Sequence, residues 1–280
     1  MSGNQILLLG AVAGSTIFLG LPLGRLASPS LRLKGALSAT ATGILIFLLY
    51  DILKHGFEPV DVAVQRAADG GSWSHLVWYA TLFAGGGIAG LMSLVFYDRW
   101  MKRQRDRALL GPGSASVAEF ETNWVVGLSP ARWLALLIAT GIGLHNFSEG
   151  LAIGQAGARS EISLALILII GFGLHNATEG FGIVAPLSGD TERPSWRFLG
   201  MLGLIGGGPT FIGTVIGQRW VSEPLSIAFL ALAAGSILYV VMELMGVNRT
   251  LAGKTIVASG VMLGLLLGFA TELVLVAAGA

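Results

Sequence analysis

The chain has 280 residues, of which 54% are hydrophobic and only 12% are charged, and its mean hydropathy is +0.75. A water-soluble domain needs more charge to cover its surface, so these values predict a protein that faces lipid over most of its surface. The net charge of +1 gives no reason to expect a nucleic-acid partner. The absence of cysteine excludes disulfides, thiolate metal sites and cysteine nucleophiles.

Eight apolar stretches are long enough to cross a bilayer as helices. The N-terminus lacks the basic region of a signal peptide, so we expect the first stretch to be retained as a span. The predicted fold class is an all-α polytopic membrane protein with eight transmembrane helices in a single domain, 1–280. In chain order the spans are predicted at about 6–26, 33–54, 73–97, 133–157, 162–187, 197–218, 226–246 and 255–278.

Basic residues indicate how these spans are oriented. Of the 17 Lys and Arg residues, 13 lie in odd-numbered loops and 4 in even-numbered ones, and the largest group is the cluster from Arg99 to Arg107. By the positive-inside rule the odd-numbered loops, including 98–132, are cytoplasmic and both termini are extracytoplasmic. The expected location is the plasma (cytoplasmic) membrane.

Two internal repeats organise the predicted helices. Residues 141–150 (GIGLHNFSEG) and 171–180 (GFGLHNATEG) share seven of ten positions. A weaker repeat matches spans one and two with spans six and seven, and it pairs Gly10 with Gly203, Gly14 with Gly207, and Gly43 with Gly235. Because matched spans cross in opposite directions, the pattern predicts a 3+2+3 arrangement with an inverted repeat.

The repeated His-Asn-x-x-Glu-Gly motif supplies the candidate site. In each copy His and Glu are four residues apart and Asn and Glu three, so all three side chains share one helical face. Both copies lie near the bilayer midplane, where an unpaired ionisable group is costly and two facing carboxylates repel. A divalent cation would relieve both costs; alternatively, His–Glu pairs merely fasten two helices. The candidate ligands are His145, Asn146, Glu149, His175, Asn176 and Glu179.

The donor types indicate which metals such a site would take. Imidazole, carboxylate and amide oxygen without thiolate suit Zn²⁺, Fe²⁺, Mn²⁺, Co²⁺ or Ni²⁺ and disfavour Cu⁺. Ca²⁺ and Mg²⁺ rarely use imidazole. We therefore expect a divalent transition-metal cation as the transported substrate, with zinc foremost.

On these residues the whole chain resembles the ZIP (Zrt/Irt-like) family of divalent-metal transporters. The His-Asn-x-x-Glu-Gly motif on span four, the related motif on span five and Ala185-Pro186-Leu187 carry the resemblance. The resemblance implies eight spans, both termini outside and transport toward the cytoplasm. It also implies one metal position formed by the two histidines and two glutamates, and a second formed by Asn146, Asn176 and the shared glutamates.

The chain departs from the family pattern in three places. The usual proline of the motif is Ser148 in the first copy and Thr178 in the second, and the cytoplasmic loop contains no histidine. Span six has Gly208 before Pro209 where the family typically has Glu, which would stand beside Glu149. We therefore expect the second position to lack a carboxylate, so that one ion binds tightly per chain.

Further acids and one histidine near the span ends are candidates for the route of the ion, although an interfacial, solvated role fits each of them too: Asp51, His55, Glu243 and Glu272. Two rival functions remain, an intramembrane di-metal enzyme and a metal-binding receptor. The first lacks a His-Glu-x-x-His motif and an activated nucleophile, so we expect no enzyme. The second lacks a sensory domain. The expected partners are the lipid bilayer and the metal ion, and a homodimer is left open.

Overall fold

The computed structural model describes residues 2–26, 30–110, 127–158, 162–190, 192–220 and 222–277, and within these ranges the chain is built from helices without strands. By length and apolarity, seven of the eight α-helices found there, all but α5, are candidate membrane spans. This confirms the predicted all-α polytopic fold. The helices are α1 (Gly3–Ser15), α2 (Leu31–Ala68), α3 (Trp73–Leu110), α4 (Pro130–Ala158), α5 (Ile162–Val184), α6 (Trp196–Gly217), α7 (Glu223–Leu251) and α8 (Lys254–Ala277).

Several helices differ in extent from the predicted spans. The α-helical part of the first span ends at Ser15 and continues as 3-10 turns to Arg25, with Pro22 inside the second turn. Helix α2 runs to Ala68 and α3 to Leu110, so the start of the predicted loop 98–132 is helical. Neither extension continues an apolar stretch of membrane-crossing length because charged residues interrupt both, although Lys, Arg and Gln are good helix formers. Residues 111–126 of that loop lie outside the described part.

Helix α4 occupies the centre of the bundle, where it packs against α1, α5, α6 and α7. Its apolar window is 78% buried, against 11% for α3 and 22% for α8, which lie at the periphery. A helix that is enclosed on all sides can hold polar groups away from both lipid and water. The motif of the first repeat copy therefore lies on the most enclosed of the seven candidate spans.

Glycines set the closest crossings between the outer helices. Gly235 of α7 lies against the backbone of Gly87 on α3, and Gly43 of α2 lies against the backbone of Val261 on α8. A Cβ at Gly235 or Gly43 would overlap main-chain atoms of the neighbouring helix. Small residues at such crossings allow the backbones to approach each other.

The long-range repeat pairs the residues at these crossings. Gly43 and Gly235 are matched positions of the repeat. The repeat relates α2 to α7 and α8 to α3, so the α2–α8 contact and the α7–α3 contact are equivalent. Gly14 and Gly207, which are also matched, lie against each other's backbone where α1 crosses α6. These contacts agree with an inverted repeat, and the exact 3+2+3 arrangement stays a prediction.

Candidate metal site

Helices α4 and α5 carry the two copies of the motif, and the last glycine of each copy allows a third backbone to come close. Gly150 of α4 lies against the carbonyl of Thr210 on α6. Gly180 of α5 lies against the carbonyl of Ile17, in the 3-10 segment that follows α1. The polar side chains of the motif are thus enclosed by α1 and α6 as well as by each other's helix.

Each histidine contacts the glutamate of the opposite helix. His145 Nε2 lies 2.8 Å from Glu179 Oε1, and His175 Nε2 lies 2.7 Å from Glu149 Oε1. Glu149 Oε1 is also 4.0 Å from His145 Nε2. We call these four side chains the His/Glu quartet. The structure brings the quartet together across the two helices, whereas its role as a metal site stays a prediction.

The quartet is almost completely enclosed. The side chains of His145 and Glu179 are 0% exposed and that of Glu149 is 4% exposed. His175 is the exception, since its side chain is 12% exposed. Access to the quartet therefore runs past His175.

The two asparagines are held in equivalent ways. Asn146 Nδ2 donates to the carbonyl oxygen of Gly206 on α6 (2.9 Å), and Asn176 Nδ2 donates to the carbonyl oxygen of Ala13 on α1 (3.1 Å). Asn146 Nδ2 also reaches Glu179 Oε2 at 3.4 Å. Ala13 and Gly206 immediately precede the matched glycines of α1 and α6, so the repeat relates the two anchoring carbonyls. Both amide Oδ1 atoms are left buried without a hydrogen-bond partner in the described residues.

The quartet has more polar atoms than hydrogen bonds. Glu149 Oε2, Glu179 Oε1 and both ring nitrogens of His145 are buried without a hydrogen bond to any described residue, so the 2.8 Å contact of His145 with Glu179 is close but poorly aligned. Buried polar groups that only fasten helices normally have their hydrogen bonds satisfied. Each unsatisfied atom is a hydrogen-bond acceptor or can become one. Acceptor atoms carry the lone pairs that ligands donate to a metal cation.

The quartet does not yet form a coordination shell. Within the described part of the chain, no group of three or more His, Cys, Asp or Glu side chains is arranged to hold a metal ion as it stands. The two imidazoles are each directed at a carboxylate instead of at a common point. A cation that binds here must separate both His–Glu contacts and take their place between the donors.

A cavity of about 250 Å³ leads to the exposed edge of His175. Helices α2, α5 and α8 line it, and Asp51 of α2 and Glu272 of α8 contribute the two carboxylates of its wall. Thr178, which sequence reasoning did not select, adds a hydroxyl to the same wall. The cavity thus joins two of the predicted pathway residues to one member of the quartet.

Apolar side chains close the opposite side of the quartet. Ile17, Ile142 and Ile183 converge on Gly206, where a Cβ would lie 2.8, 3.7 and 3.2 Å from them, respectively. All three side chains are 0% exposed. Ile142 and Ile183 lie within one helical turn of Asn146 and Glu179 on the side away from the cavity, so among the described residues apolar side chains cover that side of the quartet.

A family model described as ZIP zinc transporter matches residues 118–275, which is more than half of the chain. The chain belongs to the ZIP zinc transporter family. It is therefore an integral membrane protein that transports a divalent metal cation, and membership in a family of transporters supports the prediction that it is not an enzyme. Both copies of the His-Asn-x-x-Glu-Gly motif lie inside the matched region. A comparison with curated proteins finds no match.

Two of the predicted pathway residues do not line the cavity of this ZIP protein. His55 contacts Asp51 instead, with its Nδ1 3.3 Å from Asp51 Oδ1, and about half of its side chain is exposed. Glu243 lies one turn after the buried Tyr239 on α7 and is absent from the cavity wall. The four predicted pathway residues are thus divided: Asp51 and Glu272 line the same cavity as His175, and the other two do not.

Gly208 of this ZIP protein does not face the quartet, so the expectation that a carboxylate there would stand beside Glu149 was wrong. A Cβ at Gly208 would contact nothing within 4 Å. The residue shares its face of α6 with Leu204 and Ile212, which are 66% and 53% exposed. The face that meets α4 carries Gly206 and Thr210 instead. The family resemblance identified the position before Pro209, but it could not show which face of α6 that position lies on.

The two departures in the motif make different hydrogen bonds in this ZIP protein. Ser148 Oγ donates to the carbonyl oxygen of Phe229 on α7 at 3.1 Å, whereas Thr178 Oγ1 donates to the carbonyl oxygen of His175 on its own helix at 2.7 Å. The Ser148 contact ties the motif helix to α7. Sequence reasoning also missed the anchoring carbonyls of Ala13 and Gly206, although the repeat that relates them was visible.

Proposed function

We propose that the protein carries a divalent transition-metal cation, zinc foremost, toward the cytoplasm through the His/Glu quartet. The observation that carries the proposal is a buried set of two imidazoles and two carboxylates with unsatisfied acceptor atoms at the end of a cavity. Family membership supports transport of a divalent cation. The choice of zinc, the direction of transport and the residues that bind the ion go beyond it and are what we propose.

The charge balance of the quartet suits a divalent cation. Two ionised carboxylates, Glu149 and Glu179, would neutralise a charge of +2, and two neutral imidazoles would complete four nitrogen and oxygen donors. Four such donors are the usual tetrahedral complement of Zn²⁺. With Coulomb interactions strengthened by burial, a monovalent ion would leave the two carboxylates under-compensated. The quartet should therefore select for charge as well as for donor type.

A second, weaker position would use the asparagines. The Nδ2 groups of Asn146 and Asn176 are committed to main-chain carbonyls, which leaves both amide oxygens buried without a hydrogen bond to a described residue, and Asn146 Nδ2 lies 3.4 Å from Glu179 Oε2. Helix α6 contains no Asp or Glu, so no carboxylate from that helix joins them. Shared carboxylates and neutral amides hold a dehydrated cation less well than the quartet does. We propose one tightly held ion per chain.

The route of the ion follows from the open and closed sides of the quartet. Asp51 and Glu272 attract the cation into the cavity, and His175 is the first ligand that it meets. Release on the other side requires Ile17, Ile142 and Ile183 to separate, since they close that side in this conformation. A transporter that opens its central site to one side at a time prevents free leakage of ions.

Zinc uptake into sealed proteoliposomes tests the proposal. The wild-type protein should fill the vesicles, and Glu149→Gln/Glu179→Gln, which keeps side-chain volume but removes both charges, should lower uptake by about 100-fold or more, because each lost ionic ligand costs a few kcal/mol. Glu58→Gln/Asp61→Asn is the matched control, since it removes two exposed carboxylates of α2 outside the site. Uptake at the wild-type rate in the quartet variant would contradict the proposal.

A further inference from the structure

A second cavity, of about 750 Å³, lies between the end of α7 and the first half of α8. Arg249 in the last turn of α7 and Lys254 at the start of α8 flank its end, and every other residue of its wall is apolar or glycine. Both basic residues are exposed, and neither forms an ion pair within the described residues. The cavity therefore combines an apolar wall with two uncompensated positive charges at one end.

The wall has the length of one membrane leaflet. Val257, Val261 and Leu265 recur every four residues along one face of α8. Helix α8 rises about 16 Å between Lys254 and Leu265 at ~1.5 Å per residue. This is close to half of a hydrocarbon core that is about 30 Å thick. With Lys254 at the level of the headgroups, the apolar wall extends roughly to the bilayer midplane.

We propose that this cavity binds a phospholipid with an anionic headgroup. One acyl chain lies along Val257, Val261 and Leu265, and the headgroup phosphate lies between Arg249 and Lys254. Basic pockets between transmembrane helices at the headgroup level are suited to anionic lipids because each basic residue adds attraction to a negative headgroup. This lipid site is independent of the metal site, because the cavity shares no lining residue with the cavity beside His175.

Other occupants match only part of the cavity. A zwitterionic lipid would cover the apolar wall, but its headgroup has no net negative charge to balance Arg249 and Lys254. A free phosphate would meet Arg249 and Lys254 but not the leaflet-long wall. A second copy of the chain, packed by two-fold symmetry on this surface, would bring two more cations and no carboxylate, because the wall contains no acidic residue.

Native mass spectrometry of the purified full-length protein tests the inference, with dioleoyl phosphatidylglycerol and dioleoyl phosphatidylcholine offered in equal amounts. The wild-type protein should retain more phosphatidylglycerol than phosphatidylcholine. Arg249→Gln and Lys254→Gln should each lower its retention about fivefold. Ala258→Phe, which occupies the exposed wall and keeps both charges, should lower retention of the same lipid. The control Arg193→Gln/Arg197→Gln removes two exposed charges near the start of α6 and should change nothing.

Four outcomes would overturn the inference. Equal retention of the two lipids would remove the headgroup preference, and an equal loss in the α6 control would reduce it to general attraction between charges. Displacement of the lipid by an equal concentration of glycerol phosphate would indicate a site for soluble anions. A change of oligomeric state in Ala258→Phe, with lipid retention unaltered, would indicate that a second copy covers the wall.

Discussion

At the scale of single residues, two His–Glu contacts between α4 and α5 hold the quartet together. His145 and His175 each lie against the carboxylate of the other helix. The same contacts would serve to fasten two helices, as the alternative interpretation of the sequence holds. The unsatisfied oxygens of Glu149 and of the two asparagines favour the metal-site interpretation, because buried polar groups that only hold helices together normally have their hydrogen bonds satisfied.

The position of Gly208 yields a prediction at this scale. Because Gly208 lies on the exposed face of α6 with Leu204 and Ile212, a carboxylate there points away from the quartet. We expect calorimetry to find one tightly bound zinc ion in the wild-type protein and still one in Gly208→Glu. A second tight ion that appears only in Gly208→Glu would mean that α6 turns this face toward the site.

At the scale of helices, glycine contacts decide which elements can approach. Gly235→Ala and Gly43→Ala each place a Cβ into the backbone of the neighbouring helix, so we expect each to lower the free energy of unfolding by about 1–3 kcal/mol. Gly246→Ala on α7 is the matched control. A Cβ there meets nothing within 4 Å, so the better helix propensity of Ala should stabilise α7 by about 0.5–1 kcal/mol.

Thermal unfolding in one detergent measures all three variants. The two crossing variants should lose similar amounts, because the repeat relates Gly43 and Gly235. A Gly235→Ala protein that is as stable as Gly246→Ala would show that the α3–α7 crossing is looser than described.

The sequence predicted the helical elements and the composition of the site better than it predicted their limits. Apolar length identified the spans because the bilayer imposes it, and the repeated motif identified the quartet because no other pair of segments has His and Glu at this spacing. The helical extensions to Ala68 and Leu110 were missed because charged residues interrupt their apolar residues. The direction of Gly208 was missed because the face of α6 that meets α4 depends on tertiary packing.

At the scale of the whole molecule, orientation across the membrane follows from the 13-to-4 distribution of basic residues. We expect loop 98–132 to be cytoplasmic and both termini to be extracytoplasmic. The chain has no cysteine, so single cysteines can be introduced without background. In intact cells an impermeant maleimide should label Ser2→Cys and leave Ser114→Cys unlabelled. Labelling at residue 114 without labelling at residue 2 would show that the topology is the opposite of the predicted one, and it would contradict the proposed direction of transport.

Zinc-edge anomalous diffraction from crystals grown with zinc can locate the transported ion, which we propose binds between α4 and α5. We predict one strong peak about 2.0–2.2 Å from the donor atoms of His145, Glu149, His175 and Glu179. The peak should disappear in Glu149→Gln/Glu179→Gln. A wild-type map with no peak among these four side chains, or with two equally strong peaks in the bundle, would contradict binding of one tightly held ion by the quartet.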